Sequence, residues 1–381
     1  MIYFDYAATT PPYDEVIQTI TEVMKRHYGN PSSIHRFGEE AQQLLTKARE
    51  VTAAALGVKP EEIIFTSGAT ESNNLAIKGA AFQYQSRGRH IVTVGTEHPS
   101  VLESCLQMRE LGCEVTLLPV DREGHIDLND LLQTVRKDTV LVSIMHVNNE
   151  TGRVQLLEEI GPALKAHYPR VLLHVDGVQG FGKLPVDLKR WQADLYSLSA
   201  HKIRGPKGAG LLYVKEGLEL FPLLAGGSQE RGLRSGTENI PLLVGMAKAM
   251  RMASAQQQQY AEHVSALRDR LLERLSAIPV LEMNSGREAP HIVHVSHPGM
   301  KAEVILHSLE EQGFAVSTKS ACSSKRPEPS RVLLEMGRDQ AQASGGIRIS
   351  LGAEHTDQDI DRLGEALEQI IHKLKPLERW T

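Results

Sequence analysis

Lys202 sits in the run Ser199-Ala200-His201-Lys202-Ile203-Arg204-Gly205-Pro206-Lys207-Gly208. Asp176 closes an earlier apolar run, Val171-Leu172-Leu173-His174-Val175-Asp176. A third reactive group, Cys322, lies in Ser320-Ala321-Cys322-Ser323-Ser324. An amine flanked by hydroxyl and imidazole donors can form a Schiff base with an aldehyde. A carboxylate at a strand end can keep a pyridine nitrogen protonated, so that the ring withdraws electrons. Together they meet the needs of pyridoxal 5'-phosphate (PLP) chemistry. Cys322 has Lys319, Lys325 and Arg326 nearby in sequence, and nearby cations favour thiolate over thiol. Pro327, Pro329 and the flanking serines predict an exposed loop there. An exposed thiolate on a loop reads as a nucleophile.

Other segments add partners for such a site. Thr66-Ser67-Gly68-Ala69-Thr70-Glu71-Ser72-Asn73-Asn74 follows a predicted strand and opens a helix. Amides at a helix N-terminus, with a glycine and hydroxyls, suit a phosphate, though the same run also reads as plain helix capping. His98, in Glu97-His98-Pro99-Ser100, can lie flat on an aromatic ring and relay protons. Asn148-Asn149-Glu150-Thr151-Gly152 follows the next strand but one. Asp176 and Gln179 can reach two edges of one ring. Arg231 to Asn239 is a glycine-rich basic loop that reads as a phosphate contact for a neighbouring subunit or as ordinary surface. Arg348 lies in an alternating strand, where a planar guanidinium suits a substrate carboxylate. His291, His294 and His297 invite a metal reading. Spacings of three within a strand put neighbours on opposite faces, so no metal site is expected.

Strands at 63–66, 91–94, 115–118, 140–144, 171–175, 195–198 and 211–214 alternate with helices such as 71–85 and 101–111. That alternation predicts α/β architecture with a mainly parallel sheet covered on both faces. Sites in such sheets lie at the carboxyl ends of strands, where Thr66, Asp176 and Ser199 fall. A helix is expected from about Ala255 to Leu275 and another over 356–374, with Thr356 as N-cap. Between them lies a smaller α+β unit with strands near His291–Val295 and Arg348–Ser350. The chain of 381 residues exceeds one ordinary core. The division predicted is a large domain over 13–250 and a small one from 1–12 and 251–381.

Composition narrows the function class. A net charge of −5 gives no electrostatic reason for nucleic-acid binding. No apolar run is long enough for a bilayer, so no membrane partner is expected. The N-terminus lacks the pattern of a signal peptide. Three cysteines fit a reducing cytoplasm better than a disulfide framework. Cys105 and Cys113 are predicted to be small buried or half-buried thiols.

These segments carry a resemblance. Tyr3 to Thr10, Gly29-Asn30-Pro31-Ser32-Ser33, Phe65 to Asn74, His146 to Glu150, Ser199 to Gly208, Arg234-Ser235-Gly236-Thr237 and Ser320-Ala321-Cys322 resemble the cysteine desulfurases of the NifS/IscS-like group. Those are PLP enzymes of fold type I in the class V aminotransferase family. The resemblance implies conversion of L-cysteine to L-alanine, with the sulfur left on Cys322 as a persulfide. It implies that Lys202 holds PLP, Asp176 pairs with the ring nitrogen, Gln179 with the ring hydroxyl, and His98 stacks on the ring. Ala69, Thr70, Ser199 and His201 would bind the phosphate, with Thr237 supplied by the second subunit of a homodimer. Asn149 and Arg348 would hold the substrate carboxylate, and Asn30 would lie close to it. The sulfur would pass to an acceptor protein, an iron–sulfur scaffold or a thiolation protein.

The chain departs from the group at three places. Lys319 stands near the Ser-Ala-Cys run where relatives often have small residues. Ala200 replaces a frequent Gly. Thr381 comes soon after the last helix, where some relatives continue into a scaffold-docking tail, which leaves room for a dedicated acceptor. Rival readings are an aminotransferase, which has no need of Cys322, a selenocysteine lyase, and a catalytically silent sulfur-assembly scaffold.

Overall fold

The computed structural model describes residues 1–319 and 328–375. Its strands are β1 (Ile2–Tyr3), β2 (Ile63–Thr66), β3 (His90–Val94), β4 (Glu114–Leu118), β5 (Thr139–Met145), β6 (Leu172–Asp176), β7 (Leu195–Ser199), β8 (Gly210–Val214), β9 (Glu282–Met283), β10 (Ile292–Ser296), β11 (Phe314–Ala315) and β12 (Gly346–Ser350). The longer helices are α1 (Asp14–Arg26), α2 (Arg36–Leu56), α3 (Ala69–Gln83), α4 (Pro99–Glu110), α5 (Leu128–Thr134), α6 (Leu157–His167), α7 (Ile240–Ser276), α8 (Ala302–Glu311), α9 (Arg331–Glu335), α10 (Gln340–Ser344) and α11 (Asp357–Leu374).

Seven strands form one sheet in the order β2-β8-β7-β6-β5-β3-β4. Only β8 runs against its neighbours; the other pairings are parallel. β3, β5, β6, β7 and β8 are buried at every position. Continuous burial explains why they read as unbroken apolar runs and not as alternating ones. Two hydrophobic clusters sandwich this sheet. The expected α/β fold with a mainly parallel sheet is therefore present.

A third cluster lies between the antiparallel β9-β10-β12 sheet and helices α7, α8 and α11. Thr356 caps α11 through a capping box with Asp359, as its sequence predicts. α7 differs from expectation: it begins at Ile240, not near Ala255, and runs for 37 residues. Its first half is buried in the large core from Ile240 to Ala253. There Gly245 faces α1 so closely that a Cβ would lie 2.6 Å from Ile20. From Ile240 to Met250 the sequence is apolar on nearly every side, which blurs the one-sided stripe that marks a surface helix. Only from Val264 onward, where α7 joins the second core, does the periodic signal emerge. The same helix thus runs through the predicted division at residue 250.

Cys105 is buried and Cys113 half-buried, as predicted. Among the described residues no helix is long and apolar enough to cross a membrane.

Candidate active site

The parallel strands deliver their carboxyl ends to one cavity of about 520 Å³. β2 ends at Thr66, β6 at Asp176 and β7 at Ser199, and a short 3-10 turn then carries Lys202. Ala69, Thr70, His98, Asn149, Asp176, Gln179, Ser199, His201, Lys202 and Arg348 all line it. Two predicted site residues do not. Thr237 and Asn30 are exposed, away from the cavity of their own chain. Cys322 lies outside the described residues.

Lys202 Nζ donates to the carbonyls of Ala7 (2.6 Å) and Ala8 (2.7 Å). Asp176 is buried, and burial raises its pKa. The Val178 amide (3.1 Å), the Asn73 amide (2.9 Å) and the charge of Lys202 oppose that rise. A second acid, Glu97, is buried beside it and accepts from the Met145 amide at 2.6 Å. Burial, and then the Asp176 charge, push Glu97 well above the usual carboxylate range. Of the two acids, Asp176 accepts more hydrogen bonds, and these favour its ionised form.

Asn73 connects two functional groups. Its Nδ2 donates to Asp176 Oδ2 and to Ser100 Oγ (2.8 Å). Ser100 Oγ lies 2.8 Å from His98 Nδ1, and the Ser100 amide donates to the same nitrogen at 3.1 Å. A ring nitrogen that accepts an amide proton leaves Nε2 to carry the imidazole's hydrogen. Burial, with the charges of Lys202 and Arg331, pushes His98 down to about 4. It is therefore neutral near pH 7.

At the other end of the cavity, α3 presents its first turn. Gly68 has φ +152°, and a Cβ there would point at Ser199 Oγ 3.8 Å away. Gly210 keeps that loop tight, since a Cβ there would meet Gly68 Cα at 2.5 Å. The opening amides of α3 have no carbonyl one turn back to bond. With the hydroxyls of Thr70 and Ser199 beside them, they form a cradle of phosphate size.

Arg348 is 1% exposed. Its guanidinium donates to Asn149 O and to Asp5 Oδ1, each at 2.8 Å, while Nε has no partner among the described residues. Its backbone exchanges two hydrogen bonds with Ser317, of 2.7 and 3.1 Å. The chain leading to Cys322 is thus fastened to the strand that carries Arg348. Gln179 donates to Ala7 O at 2.9 Å, and its Oε1 lies 3.1 Å from His291 Nε2.

Sequence reasoning missed Asn73, Asp5, Ala7 and Ala8. Asn73 was legible in part, because it follows Ala69 by one helical turn on α3. The Ala7 and Ala8 carbonyls are backbone and leave no mark in residue type.

A lysine amine, a strand-end carboxylate and a phosphate cradle lie at three sides of one cavity, so the residues present fit PLP. Fold and cavity together define a PLP-dependent enzyme of fold type I. A family model described as aminotransferase class-V matches residues 2–363. The cysteine desulfurase IscS of Dictyoglomus turgidum is 44% identical over 380 residues, covering 99% of this chain and 96% of that protein. A solved NifS-like protein superposes with a TM-score of 0.92 at 39% identity, covering 98% of this chain and 100% of that one. Another, SspA in complex with cysteine, has a TM-score of 0.81 at 36% identity, covering 93% of this chain and 100% of that one. The chain belongs to the aminotransferase class-V family and, within it, to the NifS/IscS-like cysteine desulfurases.

Proposed function

We propose that this desulfurase works with Lys202, Asp176, His98, Asn149 and Arg348 in the cavity and with Cys322 as sulfur acceptor. The observation that carries the assignment is the meeting of Lys202, Asp176 and the α3 cradle in one cavity. Bound PLP supplies the electron sink that makes the cysteine α-proton acidic. Asp176 would hold the cofactor's ring nitrogen, and Asn73 orients the Asp176 carboxylate. Lys202 would hold the cofactor through its amine, and its Nζ would accept the substrate α-proton. Arg348 and Asn149 fix the substrate carboxylate. His98 would lie against the cofactor, with its hydrogen on Nε2.

The Cys322 thiolate attacks the substrate sulfur. A sulfur–sulfur bond forms, and the bond between that sulfur and the substrate β-carbon breaks. The electron pair stays on carbon, which takes a proton and becomes the methyl group of L-alanine. L-Cysteine and one enzyme thiol are consumed, and L-alanine and one enzyme persulfide are formed. That L-cysteine is the substrate is supported by the solved relative in complex with cysteine.

Asp176→Ala tests the assignment of the acid. With PLP saturating, exchange of the cysteine α-proton into deuterated water should fall by about a hundredfold, because a preorganised charge has been removed. An unchanged exchange rate would take Asp176 out of the role.

We place Thr237 in the phosphate site of a second copy. Its loop has a rigid base: the buried carboxylate of Glu230 accepts from Arg49 (2.6 and 2.9 Å) and from the Phe65 amide (2.8 Å). Arg234 ties the loop to Glu71 at the cavity rim, 2.9 Å away. Near Asn30, Tyr28 and Ile34 are 72% and 97% exposed, an apolar surface suited to a homodimer. Mixing Thr237→Ala with Lys202→Ala subunits should recover activity, because both lesions then fall in one site and the other stays whole. Proven subunit exchange without recovery contradicts a shared site. The persulfide then passes to an acceptor protein, an iron–sulfur scaffold or a thiolation protein, in a reducing cytoplasm.

A further inference from the structure

Lys202 is a wall between two cavities. The second, of about 460 Å³, lies between the N-terminal segment, α7 and the loop after β12. Its size is that of a small-molecule pocket. Tyr6, Tyr13, Phe181 and Tyr260 give it an aromatic lining. Its charges do not balance. The lining holds one carboxylate, Glu354, which is already engaged by Arg204 and by the Tyr6 hydroxyl at 3.0 Å.

Lys183 also lines this cavity and is only 5% exposed. Its Nζ donates to the Lys202 carbonyl at 3.1 Å. An ammonium has three donors, and that bond uses one. No carboxylate among the described residues lies within ion-pair distance of it, and the charged group that bears on it is the like-charged Lys202. Buried charges are ordinarily paired, because an unpaired one forfeits its hydration without return. Burial and Lys202 push Lys183 down to about 7, in keeping with an amine that lacks its counter-charge.

We propose that this second cavity is a binding site for a small carboxylate with an apolar body. The anionic end pairs with Lys183, and the body packs on the aromatic walls. Apart from Lys202, none of the proposed active-site residues lines this cavity. Its ligand sits behind Lys202, on the side away from the phosphate cradle.

Benzoate is the probe, with benzamide as its uncharged counterpart, titrated into the PLP-loaded enzyme by calorimetry. Benzoate should bind saturably, benzamide about tenfold more weakly or worse, since a charge-assisted hydrogen bond is lost. Lys183→Met should weaken benzoate by a similar factor, while Lys183→Arg keeps the charge and retains binding. Gln259→Trp, at an exposed position of α7 that lines the cavity, fills it with a bulky ring and should also abolish binding, which covers the case in which Lys183→Met does not fold. Arg348→Ala should leave benzoate binding intact, because Arg348 belongs to the other cavity. Equal affinity for benzamide, undiminished binding to Lys183→Met, loss of binding in Arg348→Ala, or no saturable binding would each overturn the proposal.

Discussion

Lys202→Ala is expected to lose desulfurase activity by at least on the order of 10³-fold, since in the proposed function one change removes both the covalent anchor and the base. The wild-type protein should be yellow, and borohydride should fix the colour to the chain. Peptide mapping should then find the pyridoxyl group on Lys202. The expectation rests on where β7 delivers this amine. Lys202 Nζ stands at the cavity, held by the Ala7 and Ala8 carbonyls, while the buried Asp176 faces the same space. Lys207 also lines the cavity, and Lys183 lies behind it. Lys183 bonds the Lys202 carbonyl from the second cavity and does not line the first. A pyridoxyl group on Lys207 or Lys183 would sink the assignment. Free PLP still binding to Lys202→Ala would not, because Asp176 and the α3 cradle remain.

The chain is legible where physics leaves a local mark. Apolar runs of β length, each followed by a polar turn, are what buried parallel strands require, and the ends of β2, β6 and β7 fell where Thr66, Asp176 and Ser199 suggest. Gly68 was legible because close backbone approach demands a residue without a side chain. Other parts lack such marks. Asn73 reads as one more polar residue in a helix, yet it is fully buried and orients Asp176. Asp5 reads as a turn residue, but the fold brings it to Arg348 across 343 residues of chain. Lys183, in an ordinary-looking Phe181-Gly182-Lys183 turn, acquires its character only from burial against Lys202. Long-range juxtaposition of this kind has no period and no local composition, so only the fold reveals it. Thr237 and Asn30 are the reverse case. Their motifs are plain in the sequence, and a single chain leaves both outside its own cavity.

Cys322→Ser is expected to separate cysteine activation from sulfur removal. In the proposed function, binding and activation use groups in the cavity, all of which the variant keeps. It should remain yellow and still change its spectrum when cysteine is added. Sulfur removal needs a soft, ionisable nucleophile, and a serine hydroxyl stays protonated near neutral pH and attacks sulfur poorly. Alanine formation should fall by on the order of 10³-fold, with no persulfide on the protein. The other thiols cannot substitute. Cys105 is buried, and burial raises its pKa to about 12. Cys113 is half-buried, and burial raises its pKa too. Alkylation of the native enzyme should accordingly label Cys322 first, then Cys113, and Cys105 last. The backbone pairing of Ser317 with Arg348 fastens the approach to Cys322 beside the proposed carboxylate site. Arg348→Ala should therefore impair cysteine binding while leaving Cys322 alkylation fast. A Cys322→Ser enzyme that forms alanine and sulfide at the wild-type rate, in a PLP-dependent reaction, would show that sulfur leaves cysteine by a route that does not pass through this thiol.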